Sequence, residues 1–137
     1  MKYEEDNTTY TVTAGNSATT TSVGDGWIEA GRSYLLLVTL RYAINDVNDE
    51  IKIRILERST GSNVEMSGSM LRHLRRAIAP DTNHYMTYNY VTKFTASSTS
   101  TNGPIAHLER LGGTADVTQG YAQMILFDLT NLKEGND

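Results

Sequence analysis

The stretch best equipped for chemistry is Arg72-His73-Leu74-Arg75-Arg76, which holds three of the chain's 12 Lys and Arg residues. No acid occurs between Met66 and Pro80, so nothing nearby in sequence neutralises it. Guanidinium groups dock bidentately on carboxylates and phosphates. In a chain of net charge −4, the patch fits either a solvated face or contact with an acidic protein neighbour. Nucleic-acid binders carry a broad basic excess, so one short run is poor footing for that role. Arg72, His73, Arg75 and Arg76 are therefore candidate protein-contact residues, joined by Tyr3 and Tyr10, two of the few apolar anchors in a polar N-terminal segment.

Other chemistry-bearing groups are sparser. His73, His84 and His107 fall in three separate contexts, and a triad or zinc site would need them to converge in space. No G-x-S-x-G, H-E-x-x-H, Walker or G-x-G-x-x-G pattern is present. Gly112-Gly113-Thr114 lacks the lysine that would meet a phosphate and reads as a turn. The oxygen-rich run Asn45-Asp46-Val47-Asn48-Asp49-Glu50 could hold calcium, but it lacks the glycine and distal glutamate of an EF-hand loop. Asn and Asp are also what a tight strand-to-strand turn prefers. Trp27, Tyr85, Tyr88 and Tyr90 could stack on a sugar, yet Tyr88 and Tyr90 share an alternating face with Met86 and Phe94, as core or subunit-facing side chains would. The expectation is a non-enzyme with no catalytic residue, cofactor or metal.

The elements that must position these residues are strands. Ser33 to Ala43 alternates, with Tyr34, Leu36, Val38, Leu40 and Tyr42 on one face and Leu35, Leu37, Thr39 and Arg41 on the other. Glu50 to Glu57 returns with Ile51, Ile53 and Ile55 inward. Tyr85 to Ala96, Ile105 to Leu111 and Tyr121 to Thr130 continue the pattern, and shorter strands are predicted at 9–13, 27–30, 63–67 and 114–118. Apolar residues on both faces of 121–130 predict a central strand or one covered by a subunit. Met70, Leu71, Leu74 and Ile78 have helical spacing, so 70–78 is expected to form a short helix capped by Ser67 or Ser69 and stopped by Pro80, with a basic strand as the rival.

Composition agrees. Thr occurs 18 times and Tyr 8 times against 2 Phe, residues that favour half-wet sheets or surfaces pressed on other proteins. At 137 residues, one domain with a real core is expected. There is no cysteine, which excludes disulfides and thiolate sites and favours assembly in a cytosol. No apolar run approaches the ~20 residues of a membrane helix, and residues 1–6 lack the apolar core of a signal peptide. The reading is an all-β antiparallel sandwich, jelly-roll-like, of about eight strands with at most one short helix. It divides into a polar arm at 1–25, a sandwich at 26–132 and a polar tail at 133–137. The arm either clamps a neighbouring subunit or pairs with its own sheet.

Gly31-Arg32-Ser33-Tyr34-Leu35-Leu36, then Ile51-Lys52-Ile53-Arg54-Ile55-Leu56, then Gly120-Tyr121-Ala122-Gln123-Met124-Ile125-Leu126-Phe127-Asp128-Leu129 resembles the small jelly-roll virion proteins of tailed phages. The same opening and ending also resemble the tumour-necrosis-factor and C1q-like jelly rolls. The likeness spans residues 26–130. It implies a homo-trimer in the virion, assembled in the host cytoplasm, with the major capsid protein or another virion protein as partner and neither nucleic acid nor membrane. The function so implied is capsid decoration that stabilises the assembled shell. The alternative is a receptor- or glycan-binding fibre tip using loops such as 97–104.

Overall fold

The computed structural model describes residues 1–6, 10–12, 17–44, 50–58, 64–66, 71–74, 85–112 and 117–130. Its strands in chain order are β1 (Lys2–Asp6), β2 (Tyr10–Val12), β3 (Ser17–Ser22), β4 (Ser33–Ile44) and β5 (Glu50–Glu57). They continue with β6 (Val64–Glu65), β7 (Leu71–Leu74), β8 (Tyr85–Thr95), β9 (Ile105–Gly112) and β10 (Val117–Asp128). Two antiparallel sheets result: β1-β10-β4-β8 with β2 also on β10, and β3-β9-β5-β6 with β7 also on β5. The protein is an all-β sandwich, and no helix occurs among the described residues.

Period-2 patterning makes the two layers. Tyr34, Leu36, Val38, Leu40 and Tyr42 of β4 are all buried, as are Ile51, Ile53 and Ile55 of β5. Ala122, Met124 and Leu126 of β10 and Ala106 and Leu108 of β9 complete the space between the sheets. Burying each large side chain contributes about 1.5–3 kcal/mol, so these alternating positions dominate the driving force for folding. Strand β10 is central, with β1 and β2 along one side and β4 along the other. Its inward residues Ala122, Met124 and Leu126 are buried, whereas Ile125 and Phe127 on its other face stay partly exposed.

Residues 71–74 overturn the helix expected over 70–78. Leu71 lies opposite Ile53 and Leu74 opposite Glu50, so this segment is a strand that caps the open side of β5. β6 caps the other half of β5, where Leu56 lies opposite Glu65 and Met66 N–H donates to the Ile55 carbonyl (2.9 Å). Backbone pairing along an otherwise open edge outweighs the helical spacing of only four apolar residues. The remainder of the expected helix, 75–78, lies outside the described residues.

In the expected arm, the pairing is with the chain's own sheets. Lys2 to Asp6 lie opposite Leu126 to Ala122, Tyr10 to Val12 lie opposite Gln119 to Val117, and Ser17 to Ser22 run along β9. The strand expected at 27–30 is reduced to one bridge, Ile28 with Ser100. Of 114–118, only Val117 and Thr118 are described, as the start of β10.

One end of the sandwich is locked by a clasp. The Arg58 guanidinium donates to the Gly103 carbonyl (2.5 Å) and to the Asp25 carboxylate (3.0 Å), while Gly103 N–H donates to the same carboxylate (2.7 Å). Gly103 must be glycine: a Cβ there would lie 1.7 Å from the Val23 carbonyl oxygen.

Candidate functional site

The residues singled out by type do not gather. Tyr3 stands exposed on β1, donating its hydroxyl to Glu5 and accepting from the Gln123 amide (3.2 Å). Tyr10 lies on β2 opposite Gln119, and its side chain lies outside the described residues. Arg72 and His73 belong to the other sheet, opposite Lys52 and Ile51, with side chains likewise outside the description. Arg75, Arg76 and the Asn/Asp-rich residues 45–49 also lie outside the described residues.

Register assembles a different site. Tyr3 lies opposite Ile125, Ile125 opposite Leu37, and Leu37 opposite Val91, so four apolar residues from four strands form one row. Their positions alternate with buried Leu36, Tyr90 and Leu126, so the row lies on the outer surface of the sheet. Val91 is 63% exposed and Tyr3 45% exposed. The next row adds Phe127 opposite Leu35, with Lys93 at its end. Leu35, Leu37, Ile125 and Phe127 are partly exposed. Beyond the apolar rows the face turns polar, with Glu5, Gln123, Thr39 and Asn89 in line. The Thr39 hydroxyl donates to the Asn89 side-chain oxygen at 2.9 Å. At this polar border the Tyr121 hydroxyl is pushed up by burial and by the neighbouring Glu5 and Tyr3.

The outer surface of the second sheet has opposite character. Lys52 lies opposite Glu109 and Arg54 opposite His107, with Arg54 and Glu109 paired at 3.6 Å. Burial, reinforced by the Arg54 charge, holds His107 below the usual imidazole range despite the opposing pull of Glu109. Arg54 Nε and His107 Nδ1 are buried without a hydrogen-bond partner among the described residues. One exterior face therefore carries two apolar rows with a polar border, and the other is charged at Lys52, Arg54 and Glu109.

Of the aromatic residues proposed for sugar stacking, Tyr88 and Tyr90 face inward, and the Tyr85 side chain lies outside the described residues. Tyr90 is buried, and Tyr88 packs against both core clusters and stacks on Tyr90 with centroids 6.5 Å apart. Burial, with lesser contributions from Tyr90 and Tyr42, pushes the Tyr88 hydroxyl up to about 12. Trp27 meets Tyr34 edge-on and carries the Lys2 ammonium 5.8 Å above its ring. The 97–104 loop is tied down: Ser100 N–H donates to the Ile28 carbonyl and Gly26 N–H to the Thr101 carbonyl.

No protein-family model and no curated protein matches the chain, so residues and geometry carry the functional argument. The apolar row was hidden from sequence reasoning because its members come from four distant segments. The one signal was the run of apolar residues on the second face of 33–43 and 121–130.

Proposed function

We propose that the chain is a non-enzymatic capsid decoration protein that attaches by burying the outer face of its β1-β10-β4-β8 sheet against a virion shell. The observation that carries this reading is the row Tyr3, Ile125, Leu37 and Val91, flanked by Leu35 and Phe127 on an exterior sheet surface. Contiguous exposed apolar patches rimmed by polar residues mark interaction surfaces from a few hundred Å² upward, and this one lies at the lower end of that range. The strand order supports the jelly-roll resemblance. With β1 and β2 taken as one interrupted strand, and β6 and β7 as another, the chain crosses between sheets at every connection but the β5 hairpin. Such alternation between sheets is what the doubled Greek key of a jelly roll requires, which favours that reading.

The patch size suits attachment to a repeating shell. Strand spacing of about 4.8 Å and a row spacing of about 6.8 Å put its six residues at roughly 200 Å². At about 25 cal/mol per Å² this contributes about 5 kcal/mol before association costs of comparable size. One copy alone therefore binds weakly, and several linked copies on a lattice bind well. The partner we propose is the major capsid protein or another virion protein. Binding only the assembled state stabilises it by mass action.

Co-sedimentation tests the reading. Native chain should pellet with assembled shells and stay in solution with unassembled shell subunits, and Leu37→Ser should lose pelleting while remaining folded. Undiminished pelleting of Leu37→Ser refutes the face. Deleting residues 1–20, which would probe a free arm, does not separate attachment from folding, because it removes β1, β2 and most of β3.

A further inference from the structure

Strand β8 ends its sheet. It pairs with β4 from Ser33 opposite Thr95 to Ala43 opposite Tyr85, and among the described residues no strand pairs along its other side. Next to this ladder, Ala96 N–H donates to the Arg32 carbonyl (3.0 Å) and Gly31 N–H donates to the Ala96 carbonyl (2.9 Å). Antiparallel alternation then turns the backbone groups of Met86, Tyr88, Tyr90, Thr92 and Phe94 toward β4. It turns those of Thr87, Asn89, Val91, Lys93 and Thr95 outward. On the far side of β4, Leu129 N–H donating to the Ser33 carbonyl at 2.8 Å has the same phase. Long open edges are normally blunted by charge, proline or a bulge. This one runs 11 residues with a single charge, Lys93, no proline, and no register break against β4.

We propose that β8 pairs antiparallel with β8 of a second copy, Val91 lying opposite Val91 on a twofold axis perpendicular to the sheet. The outward residues are arranged symmetrically for this. Thr87 meets Thr95, Asn89 meets Lys93, and the most exposed apolar side chain of the strand meets itself. On the inner face Tyr88 meets Phe94 and Tyr90 meets Thr92, an aromatic pair and an aromatic–β-branched pair of the kind that stabilises adjacent strands. The only charge on the strand faces a neutral amide, so no like-charge pair forms. Five opposed residue pairs supply about ten backbone hydrogen bonds.

The axis keeps both outer faces on one side. Tyr3, Ile125, Leu37 and Val91 therefore run on into Val91, Leu37, Ile125 and Tyr3 of the second copy, doubling the apolar row. The joint uses the sheet edge and stands independently of what covers the face.

The test is amide exchange by NMR on the native chain at about 20 µM and about 500 µM, a span that brackets a weak joint. Expected is roughly three- to fivefold slowing at the outward amides of Thr87, Asn89, Val91, Lys93 and Thr95 at the higher concentration, the most that mass action gives a dimer over this span. Asn89→Lys, which opposes Lys93 with a like charge, should abolish the concentration dependence, and adding Lys93→Glu to it should restore the dependence. Exchange at these amides that is equal at both concentrations overturns the proposal, as does an Asn89→Lys variant that behaves like the native chain. Shells take no part in the experiment, so a failed shell reading and a failed joint are told apart.

Discussion

Leu36 and Leu37 are neighbours of identical chemistry on opposite faces of one strand, and mutating each to alanine separates core from docking surface. Leu36 is fully buried between the sheets, packed in the cluster with Tyr34, Val38, Ile55, Met124 and Leu126. Leu→Ala at such a site loses the transfer free energy and leaves a cavity, at a cost of about 2.7–5 kcal/mol. With a urea dependence of about 2 kcal/mol/M, the unfolding midpoint should fall by about 1.4–2.5 M. Leu37 faces outward and is already partly wet, so its truncation should cost under about 1 kcal/mol in the isolated chain. Urea titrations followed by tryptophan fluorescence measure both, with Trp27 as the only indole. Comparable losses for the two variants would mean that the outer face is covered within the chain itself. That result refutes the docking surface.

Two further outcomes follow from local geometry. Gly103→Ala should destabilise by about 2 kcal/mol or more, because the new methyl meets the rigid Val23 carbonyl. Gly26→Ala, at φ +75° with open space around it, should cost only about 1 kcal/mol, and thermal unfolding of the pair checks the order. His107, with its folded pKa lowered, favours the neutral ring. Its contribution is fully present above the unfolded value of about 6.5 and is lost as pH falls through the lower folded value. His107→Gln should flatten stability against pH below about 6.5, and an NMR titration should place the native midpoint below that of a free imidazole. A native midpoint at or above it refutes the desolvated site.

The layers were legible because alternation is local. The inward faces of 33–43 and 50–57 follow directly from period 2, and burial of Tyr34, Leu36, Ile51 and Ile53 matches them. Leu71 and Leu74 misled because a three-residue separation fits one helical turn as well as a short strand, and only the empty edge of β5 decides between them. Register was beyond sequence reasoning. Nothing in the order of residues says that Tyr3 neighbours Ile125, or that Leu37 neighbours Val91, yet those pairings create the candidate face. The basic run drew attention through residue type, whereas the apolar row is ordinary in type and unusual only in placement.

Photo-crosslinking from within the assembled particle is the most direct test of where the chain attaches. A benzoylphenylalanine replacing Phe127 sits on the apolar outer face, and one replacing Lys52 sits on the charged outer face of the other sheet. Irradiation should join the chain to a shell protein from position 127 and leave position 52 unlinked. Crosslinks from position 52 with none from position 127 would contradict the assignment of the β1-β10-β4-β8 outer face as the attachment surface.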